Sequence, residues 1–130
     1  MRKILLAAAA AASLAWARLF GSPIDDTAWQ VKIKPDSLLG FSHKGVLRFE
    51  KGRLQVDGSI AEGFAPASYS AQSASGPDGT VFTAALSRGE RGVFSWQGMV
   101  RGDEIKGVAV LWRPDGKAKR FVFKGTRKSA

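Results

Sequence analysis

Apolar and polar residues alternate strictly over residues 29–34 (WQVKIK), with Trp29 and Val31 on one face. A period of two residues is typical of a half-buried β-strand, because successive side chains of a strand point to opposite faces of the sheet. Pro35 ends the run, and the loop that follows it contains His43, the one histidine of the chain. This segment therefore predicts the first strand of a sheet.

Residues 45–57 predict a hairpin whose tip lies at residues 51–52. A two-residue turn places Phe49 opposite Leu54, and directly opposed residues share a face of the sheet. The apolar side chains then face the interior together, while the charged residues beside them pair on the outside. The predicted register is self-consistent.

A longer hairpin is predicted within residues 92–116, with its turn at residues 102–103. Glycine and aspartate favour such turns because they tolerate the positive φ angles that tight hairpins require. The turn places Trp96 opposite Ala109, and a second turn at residues 114–116 leads into a last strand. These three strands form the centre of the predicted sheet.

Further strands are predicted at residues 68–74 and 80–87, and residues 58–67 read as a loose connector. The chain then contains about eight short strands in succession and no amphipathic helix. Continuous hairpins without long crossovers predict an all-β, antiparallel up-and-down (meander) barrel, because closure removes exposed strand edges. A barrel of eight strands is either filled by side chains or holds one small ligand.

On these registers, seven aromatic side chains project into the barrel: Trp29, Phe49, Phe82, Phe94, Trp96, Phe121 and Phe123. One interpretation is a packed core, in which each buried ring contributes about 1.5–3 kcal/mol. The other is an aromatic-lined site for a small hydrophobic ligand or lipid fragment. Gly98 and Gly107 face each other inside, so they leave room for a ligand at one level unless Phe82 and Phe123 fill it.

Three apolar side chains, Val108, Val110 and Trp112, point to the outside on the same registers. A contiguous apolar patch on a surface usually marks an interface. We therefore predict an interaction surface here, for a second copy of the barrel or for an envelope component. The alternative is a register shifted by one residue, which would turn these three side chains into the core.

The first 17 residues have the organisation of a signal peptide, with a basic start, an apolar run over residues 4–16, and Ala17 before the expected cleavage site. The alternative is a membrane anchor, but the run is shorter than the roughly 20 residues that cross a bilayer. The chain has no cysteine, so lipid attachment at a cysteine is excluded. We expect a periplasmic or secreted protein of a bacterium.

Cleavage would leave a lead-in at residues 18–28 and a barrel domain at residues 29–127. The formal charge of the whole chain is +9; without the first 17 residues, 18 basic residues face 11 acidic ones, a charge of +7. Lysines on the solvent faces of strands explain this charge through solubility. Attraction to an anionic surface such as phospholipid or lipopolysaccharide is the other explanation.

The residue types give no enzyme constellation. There is one histidine, no cysteine, and most acidic residues lie at predicted turns, so we expect no catalytic residues, metal site or cofactor. Stacking on exposed aromatic rings would suit single-stranded nucleic acid. Export and the inward direction of most rings argue against a nucleic-acid partner.

The number and order of the strands, together with Thr27-Ala28-Trp29 on the first of them, resemble the lipocalin and avidin superfamily of calycin-type barrels. Those families place a tryptophan at this position, usually as Gly-x-Trp; here the tryptophan is present and the glycine is not. The resemblance implies that Trp29 closes one end of the barrel against a basic side chain, for which Arg127 is the candidate. It also implies a non-enzymatic protein that binds a small hydrophobic ligand. A solid barrel that acts through its outer surface is the alternative.

Overall fold

Eight antiparallel strands form a closed barrel in which each strand pairs with the next and the last pairs with the first. The computed structural model describes residues 23–37, 40–74, 79–90 and 92–128. The strands are β1 (Thr27–Pro35), β2 (His43–Glu50), β3 (Arg53–Asp57), β4 (Ala67–Ser73), β5 (Gly79–Ser87), β6 (Val93–Arg101), β7 (Glu104–Trp112) and β8 (Ala118–Arg127). The predicted meander barrel is confirmed, and it is compatible with a calycin-type fold. The predicted signal peptide lies outside the described residues.

The predicted hairpin registers are also confirmed. Phe49 of β2 lies opposite Leu54 of β3, and Trp96 of β6 lies opposite Ala109 of β7. The strand boundaries differ by one or two residues from the predicted ones, and His43 belongs to β2 and pairs with Ile33 instead of lying in the preceding loop. The described residues contain no helix long and apolar enough to span a membrane.

Aromatic rings fill the interior of the barrel in a connected chain. Phe82 packs edge-on against Phe49, with 4.9 Å between ring centroids, and its ring centroid lies 6.4 Å from that of Phe123. Trp96 lies between Phe123 and Phe94, at 5.2 and 4.8 Å. Edge-on and tilted arrangements at these distances are the favourable ones for aromatic pairs. The core is therefore continuous across the barrel.

The connection between β3 and β4 covers one end of this core. It contains a short 3-10 helix, Ser59–Ala61, in which Ala61 is buried. Phe64 follows and packs edge-on against Phe94 at 5.5 Å, and the guanidinium of Arg88 lies 5.9 Å from the centre of the Phe64 ring. The segment predicted to be a loose connector is thus anchored to the core.

The segment before β1 is tied to the opposite end. Ile24 is 3% exposed, and the carboxylate oxygen Oδ1 of Asp25 accepts hydrogen bonds from the backbone N–H of Gly52 and the hydroxyl of Tyr69, at 3.0 and 2.9 Å. These bonds connect the start of the chain's first strand to the β2–β3 turn and to β4. Both ends of the barrel are therefore covered by the protein's own residues.

Candidate functional site: an outer groove

The seven aromatic residues predicted to point inward are all buried, with exposures of 0–3%. A Cβ atom added to Gly98 would lie 2.8 Å from Cζ of Phe123 and 2.9 Å from Cε1 of Phe82. The space beside the inward glycines is therefore occupied by these two rings. Of the two interpretations of this level of the barrel, the packing favours a filled core.

The same glycines, together with Gly125, lie very close to neighbouring strands of the barrel wall. A Cβ atom on Gly107 would stand 2.5 Å from Cα of Gly98 and 2.7 Å from Cζ of Phe123, and one on Gly125 would stand 2.7 Å from Cα of Val31. Only glycine, which has no Cβ atom, allows two backbones to approach this closely. Gly98, Gly107 and Gly125 also line a depression on the outer face of the sheet at this level.

We call this depression the outer groove. It has a volume of about 1930 Å³ and runs across the outward faces of β1, β2, β6, β7 and β8, with single lining residues from β3 and β5. Its outward-facing apolar lining consists of Val46, Val81, Met99, Val108, Val110 and Val122. Its cations are Lys32, Lys34, Lys44, Lys106, Arg120 and Lys124. The volume exceeds the roughly 300–1,000 Å³ of drug-sized ligand sites, and the groove is open along its length.

Two of the three residues of the predicted interaction surface, Val108 and Val110, line the outer groove. The third, Trp112, is 49% exposed and lies opposite Val93, which is 38% exposed. Ala109 between the two valines is fully buried. The three predicted residues therefore point outward, and a register shifted by one residue is excluded.

The carboxylate of Asp57 is the one acidic group among the described lining residues, and it is already paired. Its Oδ2 accepts a hydrogen bond from Nε of Arg48 at 2.8 Å, and its Oδ1 accepts one from Gln55. Partial burial raises the pKa of Asp57, but the hydrogen bonds from Arg48 and Gln55 and the charge of Arg48 outweigh burial, so its pKa lies below the ordinary value. The groove therefore presents an excess of positive charge.

Comparison of the sequence with protein-family models and with curated proteins finds no match. The described residues contain no cluster of histidine, cysteine and carboxylate side chains able to hold a metal ion. What the groove can do must be argued from its own side chains, which are aliphatic and cationic. Such a lining suits an anion that also carries apolar surface.

The two residues predicted to close the barrel lie directly opposite each other on β1 and β8. Trp29 is buried, and its indole N–H donates a hydrogen bond to Oγ1 of Thr27 at 2.9 Å. Arg127 is exposed. The cations that lie over aromatic rings in the described part of the chain are Arg88 and Lys119, and Arg127 is not among them.

Sequence reasoning placed Lys32 on the outside of the first strand but did not connect it with the other cations of the groove. The missing information is the pairing of β1 with β8, which brings Lys124 opposite Lys32. The available signal was the outward parity of each lysine on its own strand. The lysines can be recognised as one site only when the register between β1 and β8 is known.

Proposed function

We propose that this protein is an exported, non-enzymatic β-barrel that binds an anionic lipid of the bacterial envelope in the outer groove. The observation that carries the proposal is the composition of the groove, which combines aliphatic side chains with five lysines without an ion-pair partner among the described residues, Arg120 paired with Asp36, and a single carboxylate that is paired with Arg48. A fatty acyl chain would cover the valines, and the headgroup would face the cations. The predicted signal peptide supports the location.

The shape of the groove supports one lipid molecule as the ligand. A flat membrane surface fits a convex or planar face, whereas the outer groove is concave and large enough for an elongated molecule. The packed interior supports binding on the outside, since Phe82 and Phe123 occupy the space that a ligand inside the barrel would need. The barrel then serves as a rigid frame for the groove.

The headgroup part of the proposal is tested with soluble short-chain lipids that have equal chains. Isothermal titration calorimetry compares short-chain phosphatidylglycerol, which is anionic, with short-chain phosphatidylcholine, which has no net charge. We expect binding of the anionic lipid, weakened by added salt because the cations are exposed. Equal affinity for the two lipids, or no binding of phosphatidylglycerol, would contradict the proposal.

The apolar part is tested with Val108→Thr, which replaces a methyl group by a hydroxyl at nearly equal volume. Losing part of the burial energy of a valine should raise the Kd for phosphatidylglycerol roughly three- to ten-fold. Val93→Thr is the matched control, because Val93 is exposed on the outside but does not line the groove. If the two variants bind equally well, the lipid does not lie over Val108.

A further inference from the structure

Four lysines lie side by side across the outer groove, one on each of four neighbouring strands. Lys44 of β2 is directly opposite Lys32 of β1, and Lys32 is directly opposite Lys124 of β8. Lys124 is in turn opposite Lys106 of β7. We call these four residues the lysine row. Because neighbouring strands lie about 4.8 Å apart, the row extends over roughly 14 Å.

This arrangement differs from the charge pattern elsewhere on the barrel. At the end of the β2–β3 hairpin Glu50 lies opposite Arg53, and at the end of the β6–β7 hairpin Arg101 lies opposite Glu104. Opposite charges in facing positions stabilise a sheet, and like charges in facing positions destabilise it. The lysine row therefore costs stability that the rest of the barrel avoids losing.

No carboxylate compensates the lysine row within the part of the chain that the structure describes. The ion pairs formed there are Arg48 with Asp57 and Arg120 with Asp36. All four lysines are exposed and line the same groove. A bound anion with several negative groups would remove the mutual repulsion of the row, so this arrangement favours a multivalent ligand.

An apolar pair lies immediately beside the lysine row on the same outer face. Val122 and Val108 are directly opposite each other, two positions along their strands from Lys124 and Lys106. Two residues of a strand extend about 7 Å, so the two valines lie about 7 Å along the strands from the lysine row. A linear polyanion such as a nucleic acid or an acidic polysaccharide would leave these valines uncovered, whereas a lipid would cover them.

We infer that the lysine row binds a lipid headgroup that carries two or more phosphate groups. The inference rests on the proposed lipid-binding function and makes it more specific. Lysine binds phosphate as a compact point charge, and one phosphate contacts only part of a row of this length. A second phosphate engages the remaining ammonium groups, while the acyl chains lie over Val108 and Val122.

The test uses short-chain phosphatidylinositol, its monophosphate and its bisphosphate, which keep the chains constant while phosphates are added. Calorimetry on the wild-type protein should show that Kd falls roughly ten-fold with each added phosphate, equivalent to about 1.4 kcal/mol per step. Free inositol trisphosphate, which has the phosphates without the chains, should bind at least ten-fold more weakly than the bisphosphorylated lipid.

The variant Lys32→Gln/Lys124→Gln removes the two central charges of the row. It should bind the bisphosphorylated lipid no more tightly than phosphatidylinositol, because the two remaining lysines of the row, Lys44 and Lys106, are too far apart to bind the added phosphates together. The control Lys51→Gln/Lys117→Gln lowers the net charge equally at two turns outside the groove, and it should keep the wild-type preference. Thermal unfolding of both variants verifies that they are folded.

The possible outcomes separate this inference from the proposed function. Equal binding of the three inositol lipids, or an equal loss of preference in both variants, would overturn the lysine row as a multivalent site while lipid binding itself stands. Failure of every anionic lipid to bind would overturn both. Tight binding of free inositol trisphosphate, or of an RNA homopolymer in preference to the bisphosphorylated lipid, would overturn the assignment to a lipid.

Discussion

Gly98 of β6 and Gly107 of β7 lie directly opposite each other, and the ring of Phe123 extends over both of them. The absence of two inward side chains leaves no empty space, because the rings of Phe123 and Phe82 occupy it. The two glycines also line the outer groove on the other face of the sheet.

Gly98→Ala should therefore destabilise the protein by about 1–3 kcal/mol through overpacking against Phe123 and Phe82. Phe123→Leu replaces the ring that the new methyl group would contact by a shorter side chain. The double variant should therefore be more stable than the sum of the two single changes predicts, by at least about 0.5 kcal/mol. Urea unfolding of the four proteins measures this coupling. Additive effects would show that the cost of Gly98→Ala comes from contacts other than the Phe123 ring, such as the backbone oxygen of Lys106, which would lie 2.8 Å from the added Cβ atom.

The two buried tryptophans differ in how their indole N–H groups are satisfied. Trp29 donates to Thr27, whereas Nε1 of Trp96 is buried without a hydrogen-bond partner among the described residues. Each side chain is 1% exposed. Replacement of either by phenylalanine removes similar apolar area, but only Trp29→Phe breaks a hydrogen bond. We expect Trp29→Phe to cost about 1 kcal/mol more unfolding free energy than Trp96→Phe.

Chemical denaturation of the two single variants gives this comparison directly. Trp29→Ala is a useful reference, since truncation of a buried tryptophan should cost roughly 3–5 kcal/mol through the cavity it leaves. If Trp96→Phe proves as costly as Trp29→Phe, the indole N–H of Trp96 has a favourable interaction in the core, such as the face of a neighbouring ring.

The hairpins of this barrel are predictable from the sequence because each is determined locally. A two-residue turn and the apolar pairs beside it leave one register for residues 45–57, and the same holds for the hairpin around residues 102–103. The covering of the barrel end by Phe64 was not predictable, since residues 58–67 have no periodic pattern. Their few apolar side chains reach the core through an irregular path.

The outer groove depends on information that no single segment contains. β1 and β8 are at opposite ends of the chain, so no turn fixes their register, and the position of Lys124 opposite Lys32 follows only from barrel closure. Whether Gly98 and Gly107 leave an empty space inside the barrel was not predictable for a related reason. Whether inward glycines leave space depends on Phe82 and Phe123, which come from other strands.

The ion pair between Arg48 and Asp57 should give a pH-dependent contribution to stability. The pKa of Asp57 is lowered in the folded protein, so its stabilising contribution is fully present above the unfolded value, 3.8, and is lost as the pH falls through the lower folded pKa. Asp57→Asn should lower the melting temperature slightly at neutral pH, because the side chains of the pair are each 42% exposed and such pairs contribute at most about 1 kcal/mol.

Thermal unfolding of the wild-type protein and of Asp57→Asn between pH 2 and 7 measures this contribution. The difference between the two melting temperatures should stay constant down to about pH 4 and shrink below it, and salt at neutral pH should reduce it. A difference that grows as the pH falls has the opposite sign, and it would mean that the pKa of Asp57 is raised by folding.

A substitution at Trp112 tests the remaining part of the predicted interaction surface, which lies outside the groove. Its indole is half exposed beside Val93, so Trp112→Lys should change the unfolding free energy by no more than about 0.5 kcal/mol. If this pair forms a contact between two copies of the barrel, sedimentation velocity will show concentration-dependent association of the wild-type protein and only monomer for the variant. Ser70→Lys adds the same charge on the exposed side of β4 and should leave association unchanged. Association that survives Trp112→Lys, or a wild-type protein that is monomeric at every concentration, would exclude a self-association role for this pair.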